Sequence, residues 1–224
     1  MIGTVLSATF FNGLTAEILH QCNAVEARLD SFKLSNLPAT LKAITHTVSL
    51  GIPVIGTLRL PEDGGHWTHP ESDRLPILQA VFDAASTVDI EVNSTLRPAL
   101  CEQAAALGKP IILSHHDFQA TGSFESLNRI LENMLSCPHA LPKLAVRTDT
   151  ETDLHTLLRL VAAHAPTRPL CIMGMGPLGT CTRIAFPALG TKFTYGYLDR
   201  TSAPGQKHSA KLLTLLGELC SESY

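Results

Sequence analysis

No basic excess, no long apolar run, no Cys-x-x-Cys pair and no Ser/Gly-rich linker occur in this 224-residue sequence, and each absence removes a class of function. With 17 Lys and Arg against 20 Asp and Glu, the formal charge of -3 lacks the electrostatic footprint of a nucleic-acid or anionic-membrane partner. The apolar runs fall short of the ~18 residues a spanning helix needs, and Met1-Ile2-Gly3-Thr4 has no basic stretch to open a signal peptide. A soluble, cytoplasmic protein is expected. Six scattered cysteines (Cys22, Cys101, Cys137, Cys171, Cys181, Cys220) read as reduced, small hydrophobes rather than a disulfide framework. Without a linker, a repeat or a low-complexity tract, residues 1–224 read as a single domain.

What is there is a core and a rhythm. Hydrophobic residues make up 45% of the chain, enough for a large buried interior. Short β-branched or apolar runs alternate with longer segments of helical period, the pattern of parallel βα units. The runs are Gly3 to Ala8, Val25 to Asp30, Pro53 to Arg59, Val88 to Val92, Pro110 to His115, Lys143 to Arg147, Leu170 to Met175 and Phe193 to Leu198. Helical period follows at Leu96 to Leu107, Glu125 to Leu135, Leu154 to Ala163 and Ser209 to Leu219. Eight such units predict an α/β fold, a (β/α)8 TIM barrel. A doubly wound open sheet needs only five or six strands, so the first and last runs decide between the two.

Strands buried on both faces should read as nearly continuous apolar runs, and these do not. Glu26, Arg28 and Asp30 alternate on one face of the second strand, Arg59 ends the third, Glu91 sits in the fourth and Lys143 begins the sixth. Singly, each is the solvated end of a strand or half of an internal ion pair; together, at the carboxyl ends of barrel strands, they converge on a mouth where sites are built. Lys143 has no acid beside it in sequence. Its stem can pack while the ammonium reaches solvent, or its loss of hydration can favour the free amine that attacks a ketone or aldehyde. At Ser114-His115-His116-Asp117-Phe118 the period of two sends one imidazole inward and one outward. An inward histidine moves a proton near neutral pH, with Glu91 as its orienter.

Other motifs carry less. His66 and His69 have ligand spacing but no evident third partner, so no metal is expected. Gly174, Gly176 and Gly179 spell a dinucleotide fingerprint, yet too little chain follows for the βαβαβ half that it normally opens. A glycine loop leading toward Arg183 better suits an anion pocket. Ser202-Ala203-Pro204-Gly205-Gln206 is an ordinary loop or a lid that brings Ser202 and Gln206 onto a polyhydroxy substrate.

Taken in order, Glu26-Ala27-Arg28-Leu29-Asp30, Thr57-Leu58-Arg59 with Gly64-Gly65, Val88-Asp89-Ile90-Glu91, Ser114-His115-His116-Asp117-Phe118, Pro142-Lys143-Leu144-Ala145-Val146, Met175-Gly176 with Thr182-Arg183, and Ser202 to Gln206 resemble the type I 3-dehydroquinate dehydratases of the shikimate pathway. The resemblance spans nearly the whole chain. It implies a cofactor-free dehydration of 3-dehydroquinate to 3-dehydroshikimate, with Lys143 as Schiff-base nucleophile, His116 as the base and later the acid, and Glu91 holding the imidazole. It further implies that Arg183 clamps the substrate carboxylate, that Glu26, Arg28, Arg59, Ser202 and Gln206 fix ring hydroxyls and lid closure, and that Ser7 contacts substrate from the first strand. Tyr195 departs from the pattern by standing where phenylalanine is expected, which adds a hydroxyl that needs a partner in a closed, dry site. By analogy the protein is a homodimer, without a fused shikimate dehydrogenase. Rival readings are a Schiff-base aldolase, which keeps the lysine but cleaves a carbon–carbon bond, and a ligand-binding barrel with no turnover.

Overall fold

In the computed structural model, eight parallel strands alternate with helices, and the first seven strands each hydrogen-bond to a sequence neighbour. The structure describes residues 1–5 and 7–220, without the side chains of Ala8, Thr9 and Cys220. The strands are β1 (Ile2–Val5), β2 (Ala24–Arg28), β3 (Val54–Thr57), β4 (Thr87–Glu91), β5 (Ile111–Asp117), β6 (Ala140–Arg147), β7 (Cys171–Met175) and β8 (Tyr195–Tyr197). Because β8 pairs with β1, the first and last strands join one sheet and the order runs β7-β6-β5-β4-β3-β2-β1-β8. This is the barrel rather than the doubly wound alternative. The β7–β8 joint carries no strand ladder among the described residues.

The helices are α1 (Ala8–Asn12), α2 (Ala16–Leu19), α3 (Leu37–Ser49), α4 (Glu71–Ala84), α5 (Arg97–Leu107), α6 (Phe124–Leu135), α7 (Glu151–His164), α8 (Gly179–Ala188) and α9 (Ser209–Cys220). Their starts are written locally. Ser123 accepts from the Ser126 amide at α6, and Thr150 with Asp153 forms a capping box at α7. Leu127, Leu131 and Met134 bury one stripe of α6, as Leu157, Leu160 and Val161 do on α7. These stripes pack on the outward strand residues Val25, Val54, Val88, Ile90, Leu113, Leu144 and Ile172, which forms the main core.

The other strand face points into the barrel. Ile2, Ile55, Ile112, Cys171, Met173 and Tyr195 make an inner apolar cluster, and polar residues stand around it. Register aligns Arg28 with Thr57, Thr57 with Asp89, Glu91 with Ser114, and Ser114 with Lys143. The alternation legible in the sequence is thus an interior lined by charge.

Several boundaries differ from expectation: β3 stops at Thr57 and leaves Arg59 just beyond it, β6 begins at Ala140 rather than at Lys143, and β5 runs on to Asp117. β1 ends at Val5, and Ser7 is the cap of α1, its hydroxyl accepting from the Phe10 amide at 3.3 Å; the expected continuation of the strand through Leu6 lies outside the described residues, as does the side chain of Cys220. Asp30 belongs to a 3₁₀ turn (Leu29–Ser31) rather than to β2.

Candidate active site

Lys143, near the middle of β6, is 6% exposed. Its Nζ lies 2.9 Å from Asp89 Oδ2 and 3.8 Å from Glu26 Oε1, so the acids missing beside it in sequence arrive from β4 and β2. Glu26 also accepts from the hydroxyls of Thr4 and Thr57, each at 2.9 Å. Asp89 is bound by Arg59 Nη2 at 2.8 Å and by the Ser114 hydroxyl at 2.6 Å. Burial opposes the charge on Asp89, but Arg59, Lys143 and His116 together hold its carboxyl well below the ordinary range. Burial likewise opposes the charge on Arg59, and Asp89 and Glu91 more than offset it, holding the guanidinium above its usual value.

His116 is the inward histidine of β5; His115 faces the other way and does not line the cavity. Burial, with Arg59 and Lys143 nearby, keeps the His116 imidazole well below its ordinary pKa, so it stands neutral at pH 7. The acid nearest its Nδ1 is Asp63, 3.4 Å away but not aligned as a hydrogen bond. Burial chiefly raises the Asp63 carboxyl to about 6. Gly64, at φ +78°, follows it, and a Cβ there would approach the Phe118 ring to 2.5 Å. Only glycine lets this loop lie against the β5 loop.

Glu91 requires a correction. Expected to hold the imidazole, it lies outside the cavity lining and binds Arg59 Nη1 at 3.0 Å and Arg74 from α4. Arg74 is fully buried, donates to the Leu58 carbonyl at 2.7 Å and contacts Glu71 at 3.0 Å. Its guanidinium therefore fixes Glu91 from behind, and Glu91 in turn fixes Arg59.

Arg183, on α8, is 1% exposed. Its Nη1 donates to the Tyr195 carbonyl at 3.1 Å and lies 3.3 Å from Met173 Sδ, across the β7–β8 joint. Its Nε and Nη2 have no hydrogen-bond partner among the described residues, and burial pushes its pKa down to about 10. A cation so held is a ready anion site. From the β8–α9 loop, Gln206 Oε1 accepts from the Ser202 amide at 2.7 Å and hydroxyl at 3.0 Å.

These groups surround one cavity, lined by Thr4, Glu26, Arg28, Arg59, Asp63, His116, Lys143, Arg183, Tyr195, Ser202 and Gln206 among others. A family model described as "Type I 3-dehydroquinase" matches residues 13–221. The chain belongs to the type I 3-dehydroquinase family. It is 34% identical over 191 residues to a 3-dehydroquinate dehydratase from Methanosarcina barkeri, covering 81% of this chain and 79% of that one. Among solved structures, the 3-dehydroquinate dehydratase of Geobacillus kaustophilus superposes with a TM-score of 0.88 at 22% identity, covering 100% of this chain and 91% of that one. The type I enzyme of Clostridium difficile, solved with covalently modified comenic acid, gives 0.84 at 21% identity, covering 100% and 93%.

Within this type I 3-dehydroquinase, the cavity gathers Lys143, His116, Glu26, Arg28, Arg59, Arg183, Ser202 and Gln206 from the expected set; Glu91 stands behind it and Ser7 is not in its lining. Sequence reasoning passed over Asp63, Asp89 and Arg74. Asp89 shares the parity of Glu91 on β4, and that signal was readable. Asp63 directly precedes Gly64-Gly65, within a motif already noted. His66 lies beside Asp30 at 3.4 Å, while His69 packs on Trp67.

Proposed function

We propose that this type I 3-dehydroquinase dehydrates 3-dehydroquinate to 3-dehydroshikimate through an imine on Lys143, with His116 moving the protons. The observation that carries the reading is the meeting of an amine, a neutral imidazole and an unpartnered guanidinium around one cavity.

In this reading the substrate carboxylate binds Arg183, whose free Nε and Nη2 suit two directed hydrogen bonds. The Lys143 nitrogen, giving up an ammonium proton as it attacks, adds to the ring ketone, and loss of water, which carries off two of the ammonium protons, leaves an iminium. Asp89, held as a carboxylate, faces that cation. The iminium withdraws electrons from the neighbouring carbon, and His116 takes the proton released there. The same imidazolium then protonates the hydroxyl leaving the next carbon, water departs, and hydrolysis of the imine returns Lys143 and the conjugated ketone. Glu26, Arg28, Ser202 and Gln206 meet ring hydroxyls, with Arg59 ordering the carboxylates. Asp63 takes the place given in sequence to Glu91, beside the imidazole. A homodimer and cytoplasmic residence belong to the same reading.

The test is intact-mass spectrometry with peptide mapping after 3-dehydroquinate and borohydride, beside the absorbance of the conjugated product. The expected result is an adduct on Lys143 and product formation, both lost in Lys143→Ala. Turnover without an adduct removes the imine; an adduct without product points to aldolase-like chemistry; neither, in a folded sample, leaves a binding barrel.

A further inference from the structure

Tyr195 opens β8 with its ring in the cavity and is 3% exposed. Its Oη is buried and finds no hydrogen-bond partner among the described residues. A buried hydroxyl left unpaired costs about 1–3 kcal/mol, and a cavity is where a binding partner can offset that cost. Lys143 Nζ stands over the same ring, 4.2 Å from its centroid. Cation–π attraction and the apolar ring face therefore help seat the amine.

We propose that Tyr195 is a further catalytic residue, whose phenol hydroxyl donates a hydrogen bond to the substrate ketone oxygen while Lys143 adds to the carbonyl, and to the same oxygen as it leaves. This rests on the imine reading above. The distances agree with it. A phenol oxygen lies about 2.8 Å from its own ring centre by ordinary bond lengths, so an amine over the ring face stands ~5 Å from it. An oxygen on the carbon joined to Nζ lies about 2.3 Å from that nitrogen, and the remaining gap is roughly one O–H···O hydrogen bond.

The step balances without another reactant. The Nζ–C bond forms as the carbonyl π pair moves onto oxygen; the C–O bond then breaks as the nitrogen lone pair closes the C=N bond. Two protons of the lysine ammonium leave with that oxygen as water, and the nitrogen keeps the third with the positive charge. Tyr195 retains its own proton and lends only a hydrogen bond, strongest where charge gathers on oxygen. Burial, with Glu26 and Asp89 near, holds the phenol well above its ordinary pKa, so it is a donor and not a base.

The experiment is Tyr195→Phe, which keeps the ring beneath Lys143 and the carbonyl that binds Arg183. Rapid-quench borohydride trapping gives the rate of adduct formation by intact mass, and substrate deuterated at the carbon that loses its proton gives the isotope effect on turnover. Melting checks the fold. The expected result is adduct formation slowed about 10- to 100-fold, an isotope effect falling toward one as addition becomes limiting, and an unchanged or raised melting temperature. Trapping and isotope effect within twofold of the native enzyme would overturn the proposal alone. Native turnover with no adduct would overturn the imine reading and this proposal with it.

Discussion

Arg183→Met should move stability and substrate affinity in opposite directions. The native guanidinium is 1% exposed with no acidic partner among the described residues, and burial lowers its pKa from 12.5 to about 10. That difference is worth about 3 kcal/mol against the folded cation. At pH 7 the arginine is charged in both folded and unfolded chains, so the penalty is fully present; it is relieved only as pH rises through about 10 toward 12.5. Methionine removes the charge and fills much of the space, but it leaves the Tyr195 carbonyl without the 3.1 Å donor, which costs about 1–2 kcal/mol. The net gain is about 1–2 kcal/mol, or roughly 2–8 °C in melting temperature for a chain of this size. Losing a buried, charge-assisted contact to a carboxylate costs about 2–5 kcal/mol, which raises KM for 3-dehydroquinate roughly 30- to several-thousand-fold. Differential scanning calorimetry with and without substrate, beside product absorbance, reads both. A variant that melts below the native protein, or keeps its KM within threefold, would refute the assignment of Arg183 as a free anion site.

Arg74→Met has the opposite sign on stability. It strips Glu91 of one of its two cations and leaves the Leu58 carbonyl unpaired, so a loss of about 3–5 kcal/mol should lower the melting temperature by roughly 6–20 °C; a drop under 3 °C counts against the pairing. For pH, the base form of His116 does the work, and burial holds its pKa well below 6.5. Activity is therefore retained as pH falls through 6.5 and lost only lower, and an acid limb of kcat/KM at or above 6.5 would remove His116 as the base.

The barrel was legible because its signals are local. Alternation along Glu26-Ala27-Arg28 and the apolar stripe at Leu127, Leu131 and Met134 are set by periods of two and 3.6, and both survive folding unchanged. The weakest boundary fell at β1, where Ser7 serves better as a helix cap than as a strand residue. At the site, Lys143 and His116 announced themselves by polarity on buried strands. Their partners did not, since Lys143 takes Asp89 from 54 residues away and neighbours in sequence say nothing of that. Arg74 drew no notice, since its i,i+3 spacing from Glu71 is that of an ordinary surface pair; only the packing of α4 on β3 and β4 shows its guanidinium turned inward. Glu91 was placed on the correct face, but the loop after β3 brings Asp63 closer to the imidazole.

From Glu71 through Arg74, Glu91, Arg59 and Asp89 to Lys143, charge alternates in sign at every contact. Three acids and three bases cancel along this row, while Glu26, 3.8 Å from Lys143, and Asp63 add further acids to the cavity lining. Arg28 and Asp30 cancel likewise at 2.8 Å. Arg183 stands outside these pairs. An arriving carboxylate thus finds in Arg183 a cation with two unpartnered donors, inside a protein whose net charge is -3. Beyond a screening length of ~8 Å in physiological salt that negative charge is scarcely felt. Capture of the anion is governed from within the cleft, where low-dielectric walls concentrate the field of a single guanidinium.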